Sequence, residues 1–206
     1  MRWLVGSLVS LLLLSGCAGG RKPIREVGAG PHAAVYRARY DPGPGERARK
    51  FRLLVYATEP DRLHGEILSA VGTTEVILDA GEGRVSVFFV RDRVAFVGPA
   101  DERALDALLG VPVRVQDLVR ALLGDLPQVS GLDWTVAPAG IVYPDSILLR
   151  ARERSFELSL KRVRPMRGDH AELGTGRPPA GCDQRPLSDL KPDDIPGIEV
   201  ESDESP

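Results

Sequence analysis

Cysteine is nearly absent from this chain: Cys17 and Cys182 are its only thiols in 206 residues. A framework of several disulfides is therefore excluded, and the fold has to be held by its core, which a chain of this length can supply. Histidine is as scarce. His32, His64 and His170 lie far apart without metal-ligand spacing, and no H-E-x-x-H or G-x-x-x-x-G-K-[ST] pattern occurs, nor a G-x-S-x-G beyond residue 16. With no nucleophile beside a base, the sequence points away from an enzyme and implies no metal or cofactor. Positive charge is not in excess either: the net charge is -2, so nucleic acid is not an expected partner. Aromatic residues make up 5%, which leaves branched aliphatics to build any apolar interior. No apolar run is long enough to span a bilayer comfortably; the stretch LVGSLVSLLLLSG over residues 4–16 falls short.

That run is informative all the same. It follows Met1, Arg2 and Trp3, one basic residue ahead of an apolar stretch, as in an export signal. It ends in Leu14-Ser15-Gly16-Cys17, which resembles the bacterial lipobox, where small residues precede the cysteine whose thiol takes the lipid. The resemblance implies a mature chain starting at Cys17 and held in a membrane by more than one acyl chain, at about 0.8 kcal/mol per buried CH2. Ala18 follows where an aspartate would imply inner-membrane retention, so the implied location is the periplasmic face of the outer membrane. Cys182 is then left without a partner for an intrachain disulfide.

Residues 17–31, rich in glycine with two prolines, read as a tether. From 32 to about 98 come extended segments in which Phe51, Leu53 and Val55 alternate with Lys50, Arg52 and Leu54, and Val85, Val87 and Phe89 with Arg84, Ser86 and Phe88. Period two of this kind marks half-buried strands, and the short separators predict antiparallel neighbours. After Pro99 the period changes. Leu105, Leu108 and Leu109 predict one short helix capped by Asp101 and closed by Gly110; Leu118, Val119, Leu122 and Leu123 predict a second that stops at Gly124. Neither helix can bury its stripe alone, so both belong on the open or concave face of the sheet. Strands resume at DWTVAPAGIVY, SILLRARER and SFELSLKRVR, the last two as a hairpin around residues 153–155. The domain therefore spans 32–165. Residues 166–206, rich in proline, glycine and acid, read as a largely disordered tail with a short docked stretch near Leu187 to Ile198.

Within the strand region, EILSAVGTTEVIL (66–78) reads as strand, tight turn, strand, with Val71 near the tip, where turns usually carry polar residues. The basic clusters Arg47 to Arg52 and Arg150 to Arg167 read either as solvated strand faces or as contacts for anionic head groups. His64 reads as a polar-face strand residue, and Glu66, Glu75 and Asp79 as surface carboxylates or a cluster converging from neighbouring strands.

The order of these features, lipobox, strands, LSAVGTTEVIL, LLGVPVRVQDLVRALLGDLP, strands, resembles the LolA/LolB family of lipoprotein carriers and outer-membrane receptors. Ser69 to Glu75 stand where LolB-like proteins have an asparagine-proline-leucine-glycine type turn followed by threonine-glutamate. Leu109, Gly110, Val111 and Pro112, then the helix around Leu118 to Leu123 and Gly124-Asp125-Leu126-Pro127, match a second family pattern. The resemblance covers residues 32–165. It implies a mainly β, α+β fold: a curved, incomplete antiparallel β-barrel with two or three short helices over its open face, enclosing a cavity for acyl chains. It also implies a membrane-inserting role for Val71, and as partners acylated lipoprotein cargo or lipid and a periplasmic LolA-like carrier, the protein itself being a monomer.

Such a cavity would be walled on the first strands by Leu53, Val55, Ile67, Val76 and Leu78, then by Val87, Phe89 and Phe96. The last strands would add Ile147, Leu149, Leu158 and Leu160, and Leu105, Leu108, Leu118 and Leu122 would form a movable cover. The same periodicity fits a filled interior, in which case the chain would be a non-catalytic interaction lipoprotein, an accessory subunit of an envelope assembly.

Overall fold

A computed structural model describes residues 31–109, 111–166 and 172–190. The export signal, Cys17 and nearly all of the tether lie outside the described residues, as do Gly110, His170 and the chain beyond Leu190.

Six strands come first: β1 (His32–Asp41), β2 (Arg49–Thr58), β3 (Arg62–Leu68), β4 (Thr74–Gly81), β5 (Arg84–Phe89) and β6 (Val94–Pro99). Two helices follow, α1 (Glu102–Leu109) and α2 (Val115–Leu122), then β7 (Asp133–Ala137), β8 (Ser146–Ala151), β9 (Arg154–Pro165) and β10 (Asp183–Pro186). All ten strands join one sheet in the order β10-β6-β5-β4-β3-β2-β1-β9-β8-β7. Short turns make sequential neighbours antiparallel, β9 returns to pair with β1, and only β10 runs parallel to its neighbour. The ladder does not close on itself; β7 and β10 are its two edges, so the architecture is an incomplete barrel, mainly β with few short helices.

Alternation decides which face is inside. On one face Leu160, Tyr36, Leu53, Ile67, Val76 and Phe89 form a row in register across successive strands. The β1–β9 register shifts between Val35 and Tyr36, leaving Lys161 unopposed, and a bulge of this kind bends the long strand and raises its twist. Helix α2 lies over β2 and β3 on the apolar face, burying Val115, Leu118, Val119, Ala121 and Leu122. Each valine or leucine among them contributes about 1.5–3 kcal/mol when removed from water.

The helix signals hold in atomic detail. Asp101 Oδ1 accepts from the backbone N–H of Arg103 (3.0 Å) and Ala104 (3.2 Å), capping α1. At the end of α2 the Gly124 N–H donates to Ala121 O (3.1 Å) and the Asp125 N–H to Arg120 O (2.9 Å), the paired bonds of a Schellman stop. Leu123 is the C-cap and only half-buried, not a member of the buried stripe. Gly124 sits at φ +94°, and a Cβ there would lie 2.5 Å from the Ile141 backbone. Gly124→Ala is accordingly expected to destabilise the protein by more than about 2 kcal/mol in urea unfolding, combining strain and backbone collision; a loss within 0.5 kcal/mol or so, as at neutral surface sites, would show that this loop yields.

Tyr143 ties the helices to the sheet. Its N–H donates to Leu122 O (2.7 Å), its hydroxyl donates to His32 O (2.7 Å) and accepts from the Ala57 N–H (3.3 Å), and burial pushes its phenol up to about 12.

Residues 172–190 carry more structure than the expected largely disordered tail with a short docked stretch near Leu187 to Ile198; the docking is found at Leu187, and the chain after Leu190 lies outside the described residues. β10 pairs with β6, and a 3-10 turn (Leu187–Asp189) seats buried Leu187 against Gly98. Upstream, the backbone at Gly174 lies directly on β4: a Cβ on Gly81 would fall 1.9 Å from Gly174 O. The segment is a strap that crosses the polar face at Gly174–Gly176, pairs with the β6 edge and reaches the apolar core with Leu187, the close contact with β4 being made possible by glycine on both sides.

Candidate lipid-facing site

The β3–β4 connection is a three-residue loop closed by Ser69 and Thr73. The Ser69 N–H donates to Thr73 O (2.8 Å), the Gly72 N–H to Ser69 O (3.0 Å), and the two side-chain oxygens lie 2.7 Å apart. Gly72 takes φ +90°, as this loop class requires at its last position. The geometry leaves Val71 at the apex, 88% exposed. Nothing in the turn requires an apolar residue there, and a β-branched side chain is a poor choice for a turn. Arg52 fastens the loop from β2: its guanidinium donates to Ser69 O (2.6 Å) and also to Ala70 O. The tip is thus held out from the sheet by a network that does not involve the valine side chain.

Behind the tip lies the apolar face. Of the sixteen residues named for the wall and cover, Val55, Val76, Val87, Phe89, Phe96, Leu105, Leu118, Leu122, Ile147, Leu149 and Leu158 are buried in one cluster. Leu53, Ile67, Leu78, Leu108 and Leu160 are half-buried and pack against it. Leu53 and Ile67 face each other across β2 and β3, two residues inside the loop, so partly exposed apolar surface leads from the interior toward Val71. Farther along the same end, a pocket of about 360 Å3 opens beside Phe89, Val94 and Phe96, with Asp92 and Arg185 at its polar side. Its size is within the range of small-ligand clefts. Arg185 arrives on β10, so no pattern in the sequence could have placed it there; Arg52 could have been placed, since period two sets it on the face opposite Leu53, level with Leu68.

The polar face holds a second constellation. His64, 8% exposed, places Nδ1 2.8 Å from Asp79 Oδ2 and Nε2 3.3 Å from Glu66 Oε1. Asp79, 7% exposed, also accepts from the backbone N–H groups of Gly174 (3.1 Å), Thr175 (2.7 Å) and Gly176 (2.8 Å). Successive N–H groups converging on one carboxylate form an anion nest. Burial disfavours charge on His64, but the bonds to Asp79 and Glu66 and their negative charge outweigh it and hold the imidazole up at about 9. Both ring nitrogens are engaged, so an imidazolium at neutral pH serves as a clamp and offers no free base to Ser86, which is buried in the same row. Glu66 and Asp79 therefore converge, whereas Glu75 does not join them, and Asp79 is a buried carboxylate, not a surface one. The strap that buries it is what the strand pattern alone could not reveal.

No family model matches this chain, and no curated protein matches it. Among solved structures, it is similar to a LolA superfamily protein from Nitrosomonas europaea at 10% identity and a TM-score of 0.42, over 71% of this chain and 90% of that one. It is also similar to an outer membrane lipoprotein-sorting protein domain from Vibrio parahaemolyticus at 12% identity and a TM-score of 0.37, over 71% of this chain and 89% of that one.

Proposed function

We propose that this protein is an envelope lipoprotein, anchored through Cys17 at the periplasmic face of the outer membrane, that takes acyl chains of lipoproteins or lipids against its apolar face and passes them into the bilayer at the Val71 turn. The observation that carries the reading is the 88% exposed valine at the apex of a loop whose own hydrogen bonds hold it rigidly outward. The half-buried Leu53 and Ile67 behind it supply a path along which an acyl chain stays partly covered. The need for cover is physical: about sixteen exposed methylenes at about 0.8 kcal/mol each cost about 13 kcal/mol per chain in water. No covalent chemistry is required of the protein. Entry of a chain into the deeper interior requires α2 to lift from β2 and β3.

A second reading is favoured by the burial of Val76, Val87, Leu105, Ile147, Leu149 and Leu158 at 0–1% exposure, which suits a filled interior and a purely interacting lipoprotein. Fluorescent acyl-chain binding to the mature chain from residue 17, made without its leader and so unacylated, separates the two. Saturable binding that an acylated lipoprotein displaces is the expected result; a titration with no saturable component would leave the interaction module as the function.

A further inference from the structure

Cations line the Val71 end of the sheet. The β1–β2, β3–β4, β5–β6 and β8–β9 connections share the end that carries Val71. Arg47, Arg91, Arg93 and Arg152 stand in these connections against Glu46, Asp92 and Glu153, and the strands next to them are more basic still. On the polar face of β1 and β2, Arg37 lies directly opposite Arg52 and Arg39 directly opposite Lys50, all four exposed. Among the described residues the carboxylates beside this array are Asp41, 3.3 Å from Arg39, Glu157, opposite Arg39 on β9, and Glu66, diagonal to Arg52 on β3 and engaged with His64 and Thr74. Among the described residues, Arg37 and Lys50 pair with no carboxylate. At the opposite end the turns hold Glu59, Asp61 and Glu82, Arg62 and Arg177 reach Glu82, and Lys161, Arg162 and Arg164 are exposed on the last residues of β9, so that end is not acidic.

Like charges directly opposite across two strands destabilise a sheet, and here two such pairs stand side by side; Asp41 and Glu157 offset Arg39 and the loop carbonyls hold Arg52, while Arg37 and Lys50 have no carboxylate partner among the described residues. A feature that opposes stability with incomplete local compensation fits a surface shaped by what it binds. Arg52 belongs both to the array and to the loop that holds Val71 out, so the cations and the apolar apex form one rigid surface. Aromatic side chains on which bases could stack are not exposed there; among the described residues the exposed large hydrophobics are Val71, Leu126 and Val142. A cationic rim around an apolar point is the complement of a bilayer surface with anionic head groups.

We infer that the Val71 end of the sheet is a docking surface for anionic lipid head groups, with Arg37, Arg39, Lys50 and Arg52 holding the domain tip-down on the membrane so that Val71 reaches the acyl boundary. This rests on the reading that the Val71 turn meets lipid, but not on the interior accepting acyl chains.

The test is sedimentation of the unacylated mature chain with phosphatidylcholine vesicles, with and without one third phosphatidylglycerol. Binding is expected only with the anionic lipid, and should be lost at about 0.5 M salt, where screening acts within about 4 Å. The Arg37→Gln/Lys50→Gln variant breaks both like-charge pairs while leaving the Arg39–Asp41 pair and the Arg52 bonds in place. Its affinity for anionic vesicles should fall about thirtyfold, from about fivefold per basic side chain near such a surface, with a thermal midpoint unchanged or raised. Equal binding to both vesicle types, preference for a nucleic-acid duplex over vesicles, or a lowered midpoint with unchanged vesicle affinity would each overturn the inference. Acyl-probe binding by the same variant should be unaltered. Loss of that binding in the unsubstituted protein would count against the carrier function and leave the docking surface standing.

Discussion

Asp79→Ala is expected to unfold the strap and to cost about 3–5 kcal/mol, the range for removing one partner of a buried ion pair. Four donors converge on this carboxylate, the His64 ring and the backbone N–H groups of Gly174, Thr175 and Gly176. Alanine leaves the buried N–H groups of Gly174 and Gly176 and the part-buried one of Thr175 without acceptors, and an imidazolium with Glu66 as its remaining carboxylate. Urea unfolding at neutral pH measures the loss, and amide exchange at residues 172–190 reports whether the strap has detached. Asp79→Asn, which keeps acceptor oxygen but not charge, should fall between. A loss below about 1 kcal/mol with the strap still protected would mean that Leu187 and β10 hold the segment unaided.

The same cluster sets how stability depends on pH. His64 titrates at about 9 in the folded protein, above its ordinary 6.5, so its contribution is complete below about 6.5 and disappears as pH rises through 9. A shift of that size corresponds to about 3 kcal/mol. Glu66 is displaced the other way, lowered by its bond to His64 against the opposing effect of burial, so its contribution is present above its ordinary 4.5 and lost as pH falls through the depressed value. Stability should therefore be greatest between about 4.5 and 6.5 and decline toward pH 9. In Asp79→Asn the alkaline decline should flatten.

Where chemistry was local, the sequence could be read. The period-two runs delivered β1 to β6, β8 and β9, DWTVAPAGIVY delivered β7, which stops at Ala137, the leucine spacing with Asp101 and Gly124 delivered both helices, and SAVGT delivered the loop and its exposed apex. The strap was not readable, because Asp183, Gln184, Arg185 and Pro186 are all exposed and join the sheet through backbone pairing with β6, which leaves no hydrophobic period. Alternation correctly puts Asp79 and His64 on the polar face; their burial escaped for the same reason, because only the distant Gly174–Gly176 segment makes that face an interior. Nor could the cross-strand pairing of Arg37 with Arg52 be inferred without a register, which depends on which strands the long β1–β2 connection brings level.

Val71→Glu should abolish delivery to liposomes, by more than tenfold in rate, with folding intact. At 88% exposure the side chain makes little contact in the fold, so substitution should change stability by no more than about 0.5 kcal/mol. At the bilayer it exchanges an apolar group worth about 1.5 kcal/mol or more on burial for a charge that both the hydrocarbon and an anionic head-group layer reject. Val71→Leu works in the other direction: one added CH2, about 0.8 kcal/mol, should raise delivery about fourfold if tip insertion limits the rate. Acyl-probe binding should be the same in both variants, because residue 71 lies outside the apolar cluster, whose nearest members are Leu53 and Ile67. The opposed responses of Glu and Leu separate insertion from mere exposure. A loop whose apex only contacts another protein would not follow the transfer free energy of one methylene, and unchanged delivery by Val71→Glu would remove the tip from the mechanism altogether.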